Sequence, residues 1–166
     1  EVAALNFLEK KFDGLKTNNI KILYDMGGIY KSFEKYDEAI KIYSKLLDLL
    51  DNRSKAYADI LYRRGGSFER IGDYETADKD LLESLKITRE NPYVLNYLAY
   101  SWLERNYKIE LSMEMLKEAY DLRKNDPYIT DSLGWGYYLI NDFENAEKYL
   151  KKAVELMTYD PIVNDH

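Results

Sequence analysis

The chain has 166 residues, is 46 % apolar and 33 % charged, and carries a net charge of −6. That is enough apolar material for the core of one domain or one short repeat array, while the acidic balance argues against a surface built to track a phosphate backbone, so no nucleic-acid partner is expected. There is no cysteine, and the one histidine is the last residue, His166, which excludes disulfides, thiolate metal sites, HExxH zinc sites and Ser-His-Asp triads within the chain.

No apolar run approaches the ~20 residues of a membrane span, so direct insertion into a bilayer is not expected. The chain opens on Glu1 with no basic-then-apolar leader, and reads as a piece of something longer. Tyrosine is over-used, with 17 Tyr against 5 Phe and 2 Trp. Together with Lys, Ile and Asn this suggests an AT-rich coding sequence, which weakens any functional reading of the raw count.

Taken in chain order, residues 1–16, "EVAALNFLEKKFDGLK", are helical in pattern. Four pairs of helices follow. The first members are expected at 20–33, 54–71, 92–105 and 127–140, the second at 36–50, 74–88, 109–124 and 143–158. Each pair is joined by a tight turn, and Asp73 in "GDYETA" and Asp142 in "NDFENA" are placed to cap the helix that follows. Pro92, Pro127 and Pro161 stand at the joints between pairs, where helices must stop.

The pairs are copies of one another. Small residues recur at Gly27, Gly65, Ala99 and Gly134, separated by 38, 34 and 35 positions. Three residues after each comes an aromatic: Tyr30, Phe68, Trp102, Tyr137. A second small residue follows in the next helix, at Ala39, Ala77, Ser112 and Ala146. Four residues on stand Tyr43, Leu81, Leu116 and Leu150, and three further Leu46, Ser84, Ala119 and Ala153.

A glycine inside a helix costs about 1 kcal/mol relative to alanine. Gly134 is therefore expected where bare backbone lets the partner helix approach at Ala146, a packing that a larger residue would block.

This arrangement resembles the tetratricopeptide repeat, a helix–turn–helix of 34 residues with small, aromatic and proline positions in this order. The resemblance implies an all-α, right-handed superhelical solenoid of antiparallel helix pairs. It divides the chain into 1–19 (second helix of a preceding repeat and linker), repeats at 20–53, 54–91, 92–126 and 127–160, and the start of a following repeat at 161–166. Three departures stand out. The 38-residue step should lengthen the first helix of the second repeat. The thirteen-residue spacing from Ala99 to Ser112 implies one inserted residue near "RNYKIE". Arg64 stands where the family pattern carries Leu. "LNYLAYSWLERN", "YITDSLGWGYYL" and "DPIVNDH" look like segments of repeat proteins of alphaproteobacteria and their relatives, which implies a bacterial source, in the cytoplasm or the periplasm and envelope.

In the family, the first helix of each repeat lines a concave groove. The positions at −3, −2, +1 and +4 from the small residue face it, with −6 and +5 nearby. Carried over, these give Tyr24, Asp25, Gly28 and Lys31 in the first repeat. They give Tyr62, Arg63, Gly66 and Glu69 with Arg70 in the second, and Asn96, Tyr97, Tyr100 and Leu103 with Tyr93 in the third. In the fourth they give Asp131, Ser132, Trp135 and Tyr138 with Tyr128.

The second half of this groove is aromatic, and Tyr and Trp are enriched at binding hot spots. Packing of the same rings against the next repeat is the competing arrangement. Arg63 and Arg70, seven apart, share a helix face and could hold a carboxylate. Pairing within the chain, with Glu69 or Asp73, competes. Some family members clamp a chaperone's C-terminal carboxylate with Lys and Asn. Here Asn96 matches an Asn place, but the Lys places hold Tyr24, Tyr62 and Asp131, so that clamp is incomplete.

There is no P-loop, the "GWG" at 134–136 lacks a third glycine and a preceding strand, and no calcium loop occurs. Carboxylates such as Asp78, Asp80 and Glu83 are expected on a solvated helix face. The expectation is a non-enzymatic scaffold without cofactor or metal that binds a peptide segment or protein surface. The alternatives are self-association as a homodimer through repeat ends, or substrate recruitment within a larger enzyme.

Overall fold

The computed structural model describes residues 16–157, together with residues 3, 6, 7 and 10. The readings of residues 1–16 as a helix of a preceding repeat, and of "DPIVNDH" as the start of a following one, lie outside the residues described in full.

The described residues form eight α-helices and no strand. They are α1 (Ile20–Ser32), α2 (Tyr36–Leu49), α3 (Lys55–Arg70), α4 (Tyr74–Ile87), α5 (Pro92–Glu104), α6 (Ile109–Leu122), α7 (Pro127–Leu139) and α8 (Phe143–Leu156). The chain divides into two compact units, Glu1–Arg89 holding α1–α4 and Glu90–His166 holding α5–α8. Each helix packs on the next within its unit, and α7 also packs on α5.

Every turn inside a hairpin is built alike. The N–H groups of Lys35, Asp73, Tyr107 and Asp142 donate to the carbonyls of Tyr30, Phe68, Trp102 and Tyr137, the aromatic column. The N–H groups one residue earlier donate to Lys31, Glu69, Leu103 and Tyr138. This pair of bonds closes a helix on a left-handed residue. That residue is Glu34 (φ 58°), Gly72 (φ 82°), Asn106 (φ 54°) and Asn141 (φ 62°). The inserted residue of the third hairpin is absorbed by a second left-handed position, Lys108 (φ 46°).

Six of the eight helix starts are capped by a side chain, those at Lys35 and Lys108 being the exceptions. Asn19, Ser54, Asp73, Asn91, Asp126 and Asp142 each accept from a free N–H of the first turn. Pro92 and Pro127 lie inside this first turn. They start helices rather than end them, since the missing N–H is one that no carbonyl would have used. The 38-residue step is likewise local: α3 has 16 residues where α1, α5 and α7 have 13.

The glycines show which atoms need the space. A Cβ at Gly134 would lie 2.8 Å from Cγ and 2.9 Å from the backbone nitrogen of Leu150. At Gly27 it would strike the Tyr43 ring, and at Gly65 it would meet Leu81 Cγ at 3.0 Å and the Ala77 carbonyl oxygen at 3.2 Å. The first small position thus makes room for the large residue four past the second small one. Gly136 has another role: a Cβ there would sit 2.7 Å from Met113 Sδ and 3.1 Å from Leu103. The two glycines of α7 admit α8 on one side and the preceding hairpin on the other.

The expectation for Asp80 also changes. It is 4 % exposed, and its carboxylate takes two bonds from Arg64, Nε to Oδ2 at 2.7 Å and a terminal nitrogen to Oδ1 at 2.8 Å. Arg64 also donates to Ser44 Oγ at 3.1 Å. The arginine that replaces the family's leucine is therefore the buried cross-link of α2, α3 and α4, and a buried carboxylate is tolerated because it is paired and hydrogen-bonded.

Candidate functional site

In the first unit the candidate residues come from α1 and α3. Arg63 donates through Nε to Asp59 Oδ2 at 2.8 Å, and its guanidinium lies 4.6 Å from the centre of the Tyr24 ring. Its acidic partner is therefore Asp59, one turn earlier in α3, rather than Glu69 or Asp73. Burial first, and then the charge on Asp59, push the Tyr24 phenol above its ordinary value. Arg70 turns instead to the start of α2. It donates to Tyr36 Oη at 3.2 Å, with its guanidinium carbon 5.7 Å from that ring. The two arginines share a helix face but are anchored on different partners. Lys31 feels both: burial lowers its pKa first, and the charges of Arg63 and Arg70 lower it further. Tyr62 is half-buried and Gly66 buried.

In the second unit the candidates lie on α5 and α7. Tyr138 is 47 % exposed, Tyr93 46 % and Tyr128 45 %, while Asn96, Tyr97, Tyr100 and Trp135 are half-buried. The Trp135 and Tyr138 rings stack at 5.1 Å with planes 20° apart. Trp135 Nε1 donates to Glu104 Oε1 at 2.6 Å, tying α7 to the end of α5. Asp131 is 4 % exposed. Burial, then the charges of Glu104 and Asp131, push the Tyr100 phenol up to about 12. Leu103 is buried against the glycine side of α7 and belongs to the core.

The structure thus links Tyr100, Asp131, Trp135 and Tyr138 around Glu104 in one unit, and Tyr24 with Arg63 in the other, while Arg70 lies on Tyr36; Tyr62, Asn96 and Tyr97 share these helices. Sequence reasoning passed over Asp59 and Glu104. Both stood in columns that had signals. Asp59 is six before its small residue, the column of Tyr93 and Tyr128. Glu104 is five past its own, the column of Arg70.

Among the described residues no group of His, Cys, Asp and Glu is arranged to hold a metal, and no helix is long and apolar enough to cross a membrane.

Comparison with known proteins agrees with this architecture. The tetratricopeptide repeat model matches residues 20–49, 58–91 and 132–156. The TPR repeat-containing protein PA4667 of the bacterium Pseudomonas aeruginosa is 29 % identical over 125 residues, covering 75 % of this chain and 19 % of that protein. This chain thus spans about a fifth of that relative. Among solved structures, MamA from Desulfovibrio magneticus superimposes with a TM-score of 0.72 at 21 % identity, covering 96 % of this chain and 86 % of that one. YrrB, described as a TPR protein with an unusual peptide-binding site, does so at 0.69 and 16 % identity, covering 98 % and 81 %.

Proposed function

The chain belongs to the tetratricopeptide repeat family, and on that premise we propose that it is a non-enzymatic protein-interaction module that holds a peptide segment or protein surface on the exposed face of its first helices. The repeat division at 20–53, 54–91, 92–126 and 127–160 is part of this proposal. The observation that carries it is the α5–α7 face. Tyr138 is nearly half exposed and stacks on Trp135, and Tyr93 and Tyr128 are exposed at the starts of the same two helices. An aromatic pair left in contact at the surface marks an interaction site more readily than rings scattered singly. They supply rigid contact area at low ordering cost, on helices already fixed by their own core. The peptide-binding site attributed to YrrB supports the reading by analogy of fold alone.

The test is to pan a displayed decapeptide library against the parent chain and against Trp135→Ala/Tyr138→Ala, with thermal stability matched. Peptides enriched by the parent and lost by the double variant support the reading. Equal capture by both, or none by either, refutes the face assignment. Light scattering over a concentration series then reports whether the same patch, or the repeat ends, instead joins two copies of this chain.

A further inference from the structure

The two units differ in where their charges sit. In the first, α1 and α3 carry Lys21, Lys31, Lys55, Arg63, Arg64 and Arg70. In the second, the corresponding helices α5 and α7 carry no lysine or arginine, and their ionisable acids are Glu104 and Asp131 alone.

Those two carboxylates flank the aromatic patch. Glu104 is exposed and holds the Trp135 indole N–H at 2.6 Å. Asp131 lies one turn before Trp135 on α7. Tyr100 sits within the field of both acids, and its phenol stays protonated well beyond neutral pH. One turn before Tyr100, Asn96 keeps its Oδ1 buried with no hydrogen bond from the described residues.

The bases that follow α5, Arg105 and Lys108, hold partners of their own. Arg105 donates to the Ser101 carbonyl at 3.0 Å. Lys108 lies over the Trp102 and Tyr107 rings at 4.3 and 4.8 Å. Arg123 and Lys124 surround a depression beside Tyr93, at the opposite end of α5 from Glu104, about 16 Å away by helical rise.

We infer that the α5–α7 face recognises a basic side chain, arginine above lysine, in an extended segment of a partner protein, with the exposed Glu104 supplying the counter-charge. This rests on the interaction reading above and adds the class of residue recognised. A cation placed over an indole or phenol face is attracted by the ring quadrupole, and more strongly where water is partly excluded. A guanidinium can stack on the Trp135–Tyr138 pair while its N–H groups reach a carboxylate, which an ammonium does less well. An acidic side chain in the same place would meet Glu104 and no base on either helix.

The experiment uses the peptides enriched by the panning described above. Each is titrated by fluorescence anisotropy against the full chain, in its original form and with each arginine replaced by citrulline, which keeps the shape and loses the charge. The expected result is a shared arginine whose replacement weakens binding about tenfold. Glu104→Gln, at an exposed position, should weaken the arginine peptide several-fold and leave the citrulline peptide unchanged. Enriched peptides without a shared basic residue, or equal binding of the arginine and citrulline forms, overturn this inference and leave the interaction reading standing. Absence of any enriched peptide sensitive to Trp135→Ala/Tyr138→Ala overturns both.

Discussion

Replacing Arg64 by leucine restores the residue that the family pattern carries, yet it should destabilise this chain. The change strands Asp80, whose side chain is 6 % exposed and whose two oxygens both depend on Arg64. Breaking one side of a buried pair costs about 3–5 kcal/mol because a charge is left without compensation. Arg64 keeps 21 % of its side-chain exposure, so the lower end, about 3 kcal/mol, is expected. The reverse single variant, Asp80→Ala, should cost only about 1 kcal/mol, because a long arginine can turn its head to water.

The double variant Arg64→Leu/Asp80→Ala removes both charges and leaves an apolar contact. It should lie within about 1 kcal/mol of the parent, since an ion pair replaced by apolar groups is often neutral. A double-mutant cycle by urea denaturation would then return a coupling of about 3 kcal/mol. If Arg64→Leu is as stable as the parent, or if the double variant loses the full sum of the two single losses, the cross-link is not what holds α2, α3 and α4 together. Asp80 would then not depend on Arg64 for its burial.

Other expectations can be checked with the same equipment. Gly27→Ala places a methyl 2.4 Å from the fully buried Tyr43 ring and should cost about 1–3 kcal/mol by overpacking. Gly28→Ala, with nothing within 4 Å, should instead gain about 1 kcal/mol of helix propensity; a reversed order of urea midpoints would contradict the packing assignment. Tyr100 has a folded pKa raised to about 12 from 10.0. Above pH 10 the unfolded chain releases this proton while the folded chain keeps it, so the contribution is complete below pH 10 and is lost as pH rises through about 12. Absorbance titration of phenolate in the folded chain should show a late component that Tyr100→Phe removes, and the variant's stability should fall less steeply over that interval. A titration unchanged by Tyr100→Phe would place the phenol outside the field of Glu104 and Asp131.

Much of the architecture was legible before any coordinates because it is written in short-range spacing. Caps and the 3.6-residue period act within a helix or across one turn, and local stereochemistry enforces them wherever the chain lies. Four near-copies of the pattern make the reading firmer, since a chance match would not recur at 38, 34 and 35 positions. Tertiary structure decided which residue meets which. Gly134 opens to Leu150, and Gly136 to Met113. Arg64 finds Asp80 sixteen residues on, and Trp135 finds Glu104 thirty-one residues back. Such pairings depend on where two helices cross and how far each is rotated about its axis. A shift of one residue in that register turns a side chain about 100° away, so sequence distance alone could not supply them.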